Sequence, residues 1–86
     1  MKTEYYFHSD AGHGWLAVKR TELNRLKIEA KISSYSYERG ETVYLEEDCD
    51  ASTFLKAKKD LGEEFSFKET HVDRSPIRSY KSYKTV

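Results

Sequence analysis

Apolar and polar residues alternate in short runs along most of this chain, and one later stretch keeps a helical period. Residues 2–8, with Tyr5, Tyr6 and Phe7 before His8, have the character of a strand, as do residues 15–18. Between them lies Ser9-Asp10-Ala11-Gly12-His13-Gly14. Its two glycines permit positive φ on either side of His13, so the two strands should pair as a hairpin. Thr21 is a candidate N-cap for a short helix reaching Lys27, with Leu23 and Leu26 turned inward and Ile28 closing it. Residues 31–38, with Ile32, Tyr35 and Tyr37 set among serines, suggest a third strand or an extended segment. After the turn Arg39-Gly40-Glu41, residues 42–46 make a fourth.

The chain is organised around residues 43–54, which run from strand through an acidic corner into a helix. Asp50 suits the N-cap of that helix, because a carboxylate there can accept from the free backbone N–H groups of the first turn. Ala51, Phe54, Leu55, Lys58 and Leu61 fall at i, i+3, i+4 and i+7 spacings, the mark of one buried stripe. Gly62 stands where a helix-ending glycine belongs, after lysines that suit the negative end of the helix dipole. Phe65 and Phe67 alternate with polar residues over 64–70 and give a fifth strand. Residues 71–86 are polar and basic, with Pro76 interrupting them and a short strand expected at 77–80. The expectation is a single α+β domain over 1–86. It has an antiparallel sheet of about four to five strands with two helices packed on one face, and a less ordered tail at 71–86.

Charge narrows the function. Fifteen basic and fifteen acidic residues cancel. Strong non-specific nucleic-acid binding needs a basic excess, and a nucleic-acid mimic needs an acidic one. A lone cysteine offers no internal disulfide and suits a reducing cytoplasm. No long apolar run marks a membrane span or a leader, so no membrane association is expected. Seven tyrosines matter more, because a ring with a polar tip serves binding surfaces as well as cores.

Five groups of residues could carry chemistry. His13 and Trp15 sit in or beside the glycine loop, where backbone N–H groups can approach an anion or the imidazole can stay free; an ordinary hairpin turn is the plainer account. Glu46, Glu47, Asp48 and Asp50 crowd a corner that, with His8, His13 or His71, has donors for a divalent metal. Glu46 and Glu47 nevertheless point to opposite faces while the strand lasts, and no known ligand spacing is present. Cys49 beside these carboxylates should have a raised thiol pKa, which argues against a nucleophile. Tyr35 and Tyr37 alternate toward one face and suit stacking or a partner's groove, or else a half-buried strand. Arg74 and Arg78 could clamp a phosphate or carboxylate, or pair with Glu46, Glu47 or Asp48 and hold the C-terminal segment down.

The strings Ser9-Asp10-Ala11-Gly12-His13-Gly14-Trp15-Leu16, Ile32-Ser33-Ser34-Tyr35-Ser36-Tyr37, Tyr44-Leu45-Glu46-Glu47-Asp48-Cys49-Asp50-Ala51 and Ile77-Arg78-Ser79-Tyr80 cover nearly the whole chain. Together they resemble a group of short proteins encoded by bacterial phages, plasmids and integrated elements. That resemblance implies a small accessory protein of a mobile element in the bacterial cytoplasm, and it brings no catalytic residues with it. The first functional expectation is therefore a non-enzymatic binding protein without a cofactor. It would be a counter-defence inhibitor, binding a host immune effector in the manner of an anti-CRISPR protein or sequestering a small anionic or nucleotide ligand. Its binding residues would be His13, Trp15, Tyr35, Tyr37, Glu46, Glu47, Asp48, His71, Arg74 and Arg78. Two alternatives stand beside it. One is a metal-dependent hydrolase or nuclease built on the acidic corner. The other is a structural protein that assembles as a homodimer through an exposed sheet edge.

Overall fold

A computed structural model describes residues 3–84; the expected ends of the first strand at Lys2 and of the tail at residues 85–86 lie outside them. The elements run β1 (Thr3–Ser9), β2 (Gly14–Lys19), α1 (Arg20–Arg25), β3 (Tyr37–Arg39), β4 (Thr42–Glu46), α2 (Ala51–Asp60), β5 (Phe65–His71) and β6 (Lys81–Ser82). Short 3-10 turns occupy Glu29–Lys31 and Pro76–Ser79. The strands form one six-stranded sheet in the order β5-β1-β2-β4-β3-β6. All neighbours are antiparallel except β1 and β5, which run parallel through the α2 crossover. The α+β class and the helix-covered face are as expected. The sheet gains a sixth strand and a parallel edge, because β5 passes back beside β1 and does not extend the second hairpin.

Register sorts the sheet into two faces. Tyr5 and Phe7, Leu16 and Val18, Val43 and Leu45 share one face, and alternate residues take the other. The first set joins Leu23 of α1, Phe54 of α2, Ile28, Ile32 and Tyr83 in one core cluster. Both helices therefore cover the same face. Gly14 permits part of this packing: a Cβ there would stand 2.4 Å from Cζ of Phe7.

Helix ends follow their sequence signals unevenly. At the end of α2, Gly62 takes φ +71°. Its N–H donates to Lys59 O, and the Glu63 N–H donates to Lys58 O, the paired closure that a left-handed residue allows. Leu61, expected in the buried stripe, is 59% exposed, because the helix turns off the core at that point. Helix α1 starts at Arg20, one residue before Thr21, and its N-cap position is Lys19. Its C-terminus closes as α2 does, with Ile28 N–H donating to Leu23 O and Lys27 N–H to Asn24 O. Here Lys27 adopts the positive φ, 59°, that glycine adopts more easily.

The expected strand over 31–38 shrinks to Tyr37–Arg39. Asp50 explains why. It occupies the N-cap position, yet its side chain makes no capping bond. Its carboxylate instead accepts from the Ser33 N–H at 3.0 Å, the Ser33 hydroxyl at 2.7 Å and the buried Ser36 hydroxyl. The Ser36 hydroxyl oxygen in turn accepts from the Glu46 N–H at 2.9 Å. With the Ser33 N–H given to Asp50 and the Ser36 N–H given to Ser33 O, residues 33–36 curl into a turn.

The expected strand at 77–80 is the 3-10 turn Pro76–Ser79, and β6 follows it. Residues 72–80 leave β5 at one sheet edge and reach β6 at the other, crossing the face that lacks helices. Five strand spacings span roughly 24 Å, within reach of nine extended residues. Ser75 and Ile77 are the strap's buried residues, and the Tyr80 ring packs 5.3 Å from that of Tyr44. Through the Pro76–Ser79 turn and β6 the strap leads on to Lys84, whose N–H donates to Glu38 Oε1 at 2.8 Å.

A buried lysine ties the helices to the sheet. Lys58 is 1% exposed. Its ammonium donates to the Tyr5 hydroxyl at 2.7 Å and lies 3.1 Å from Glu63 and 3.5 Å from Glu22. Burial works against its charge, but the Tyr5 and Glu63 contacts outweigh burial and raise its pKa. Arg25 completes the set, bonding Glu22 at 2.7 Å and both oxygens of Glu63.

Candidate functional site

At one end of the helix-free face, β2, the glycine loop, the acidic corner, the serine turn and the strap enclose a cleft of about 310 Å³. His13, Trp15, Tyr35, Tyr37, Glu46, Asp48 and Arg78 line it, joined by Cys49. Most of the residues expected to bind thus meet in space, although they come from four separate stretches of chain.

Each wall has a local cause. Trp15 and Glu46 are register partners on β2 and β4, so both project from the helix-free face. The Trp15 ring packs edge-on to Tyr37 at 6.2 Å and lies 6.0 Å from His13. It is 2% exposed, and its indole N–H has no hydrogen-bond partner among the described residues. Glu46 Oε2 accepts from the backbone N–H groups of Asp48 and Cys49, both at 2.9 Å, and this folds the acidic corner. Its Oε1 stands 3.8 Å from His13 Nδ1. Tyr35 is 70% exposed at the tip of the serine turn, so it reaches the cleft from a loop and not from the expected strand.

The strap supplies the remaining wall through Asp10, a residue the sequence reading placed only in a turn. Asp10 Oδ1 accepts from the N–H groups of Gly12 and His13, both at 3.0 Å. Its Oδ2 accepts from the Ser75 N–H at 3.1 Å and from Arg78 Nε at 2.6 Å. Arg78 foremost, with these backbone donors and against the cost of burial, holds the Asp10 carboxyl well below the usual carboxylate range. The Arg78 guanidinium also stacks over Trp15 at 5.7 Å. Arg78 does pin the C-terminal segment, as one of its two expected roles required, but through Asp10 and not through the acidic corner. The signal was present: an aspartate two residues before a glycine is a local turn former, and its second oxygen stays free for another partner.

Three expected residues lie elsewhere. Glu47 points to the helix-covered side, as strand alternation required, and lines a different groove there. His71 ends β5, its Nδ1 3.0 Å from the Ser9 hydroxyl. Arg74 is exposed on a shallow hollow beside Asp10 and Gly12. Glu46, Glu47 and Asp48 do not converge. Among the described residues no group of three or more histidine, cysteine, aspartate or glutamate side chains is placed to hold a metal ion. The Cys49 thiol is exposed, and the Glu46 contact, with burial and the nearby carboxylates, raises its pKa. A raised thiol pKa leaves little thiolate for nucleophilic attack.

Among the described residues no helix is long and apolar enough to cross a membrane. Comparisons with known proteins give no match to any family model, curated protein or solved structure. The fold and the cleft therefore define a class, a small mixed α+β domain with an aromatic, acidic cleft on the helix-free face of its sheet.

Proposed function

We propose that this chain is a non-enzymatic binding protein whose cleft takes a basic side chain presented by a protein partner. One observation carries this: the cleft's carboxylates outnumber its available cations. Arg78 is committed to Asp10 and Glu46 Oε2 to the corner's backbone, while Glu46 Oε1, 3.8 Å from His13, and the Asp48 carboxylate remain to the cleft beside Trp15, Tyr35 and Tyr37. Aromatic faces with nearby carboxylates favour an arginine or lysine head group. A backbone carbonyl from the same partner would satisfy the Trp15 N–H. A small anion is the poorer fit, because the two carboxylates would repel it.

The resemblance to mobile-element proteins supports a host defence protein as that partner. An effector that handles nucleic acid presents basic side chains for phosphates, and an acidic cleft complements them. The chain would then act as a counter-defence inhibitor by occupying such a surface.

Trp15 is the only tryptophan, so its fluorescence reports on the cleft directly. Titration with N-acetyl-arginine amide should shift Trp15 emission, and N-acetyl-glutamate amide should not. Glu46→Gln with Asp48→Asn should weaken the arginine response at least tenfold. Equal responses to both probes, or a response unaffected by the two substitutions, would refute the proposal.

A further inference from the structure

We propose a second docking surface on the helix-covered side: the β5 edge and the groove beside it receive an extended, basic segment of a partner protein by strand addition. Three observations meet there. First, β5 is a seven-residue edge strand without proline, so its outward backbone groups have no sheet neighbour among the described residues. Second, α2 leaves a groove of about 290 Å³ along β1 and β5, lined by Phe7, Leu16, Leu55 and Phe67. Phe67 is 46% exposed there. Third, Glu47 and Glu69 line the same groove, and neither carboxylate has an ion-pair or hydrogen-bond partner among the described residues.

These features select the occupant. A strand added to β5 would send alternate side chains toward the groove. Apolar side chains would cover Phe67, and an arginine or lysine between them would meet Glu69 and Glu47. A second copy of this chain fits less well. The residues of β5 on the groove side are Phe65, Phe67, Glu69 and His71, since Phe67 pairs with Tyr5 and Glu69 with Phe7. A partner β5 would bring a second Glu69 to that face, while Lys68 lies on the other.

The test uses the full chain and a labelled peptide, Ser-Ile-Thr-Arg-Thr-Ile-Ser. Its pattern reads alike in both directions and so assumes no strand polarity. Anisotropy should show binding at least tenfold tighter than for the same peptide with glutamate in place of arginine. Glu69→Lys, an exposed substitution with little bearing on folding, should reverse that preference. Amide exchange in residues 65–71 should slow on binding, while Trp15 emission, which reports on the opposite face, stays unchanged. Comparable binding of both peptides would overturn the proposal, as would binding without slower exchange in β5. So would light scattering that shows the free chain as a dimer with β5 amides already protected, which would make the occupant a second copy.

Discussion

Replacing Asp50 with alanine separates two accounts of the turn into α2. If Asp50 served only as a helix cap, its loss would cost about 1 kcal/mol. The structure gives its carboxylate three donors in Ser33 and Ser36 and no capping bond. Hydrogen bonds to a charged acceptor contribute roughly 1.5–3 kcal/mol each, though not additively, and a stranded buried hydroxyl such as that of Ser36 costs roughly 1–3 kcal/mol. The expected loss is therefore about 3–5 kcal/mol. A chain of this size has only about 4–13 kcal/mol in total. Urea denaturation followed by circular dichroism is the assay. With a slope near 1 kcal/mol per molar, the midpoint should fall by roughly 3–5 M, or the chain should be unfolded without urea. Asp50→Ala and Ser36→Ala should also couple by roughly 1–2 kcal/mol in a double-mutant cycle. A loss near 1 kcal/mol with no coupling would refute the reasoning and restore the cap. Because the same turn presents Tyr35, Asp50→Ala should also weaken the Trp15 response to arginine.

Lys27→Gly should raise stability by about 1 kcal/mol in thermal or urea melts, since it removes a side chain from a left-handed position in which Lys27 has φ 59°. Lys58→Ala should cost about 3–5 kcal/mol, because it leaves Glu22, Glu63 and Tyr5 without their buried cation. Lys58→Met, which keeps the aliphatic stem, should cost visibly less in the same melts. Stability should be full above about pH 4.5 and fall as pH drops toward 2. Arg25, with Lys58, lowers the Glu63 pKa from 4.5 to about 2, so protonating Glu63 favours the unfolded chain. Asp10 and Glu22, also lowered, act with the same sign. A pH series of melts checks this, and Glu63→Gln should flatten its acid limb.

The first hairpin, α2 with its glycine stop, and the two-sided alternation of β1 to β4 were legible because local signals and tertiary packing agree there. The serine segment was not. Ser33, Ser34 and Ser36 are compatible with a strand until Asp50, fourteen or more residues away, claims two of them. Leu61 has the right period for the core but sits at the helix cap, where the chain has already turned. Seven of the ten expected site residues line one cleft. Glu47 departs by the alternation that sequence already contained. His71 and Arg74 depart because nothing local encodes where the strap lies. Asp10 was overlooked because a turn-forming aspartate leaves no trace of its second, distant partner.

The strap also fixes an order of events. Arg78 and the bond it makes to Asp10 come from opposite ends of the described chain, 68 positions apart. As the chain emerges in sequence, both helices and five of the six strands can assemble before residues 72–80 exist outside the ribosome. The cleft cannot. Until the strap lies down, Trp15 has no guanidinium above it and the Asp10 carboxylate has only the N–H groups of its own turn. The cleft is thus the last part of the described fold that can form during synthesis, and the partner binding proposed for it waits on residues 72–80.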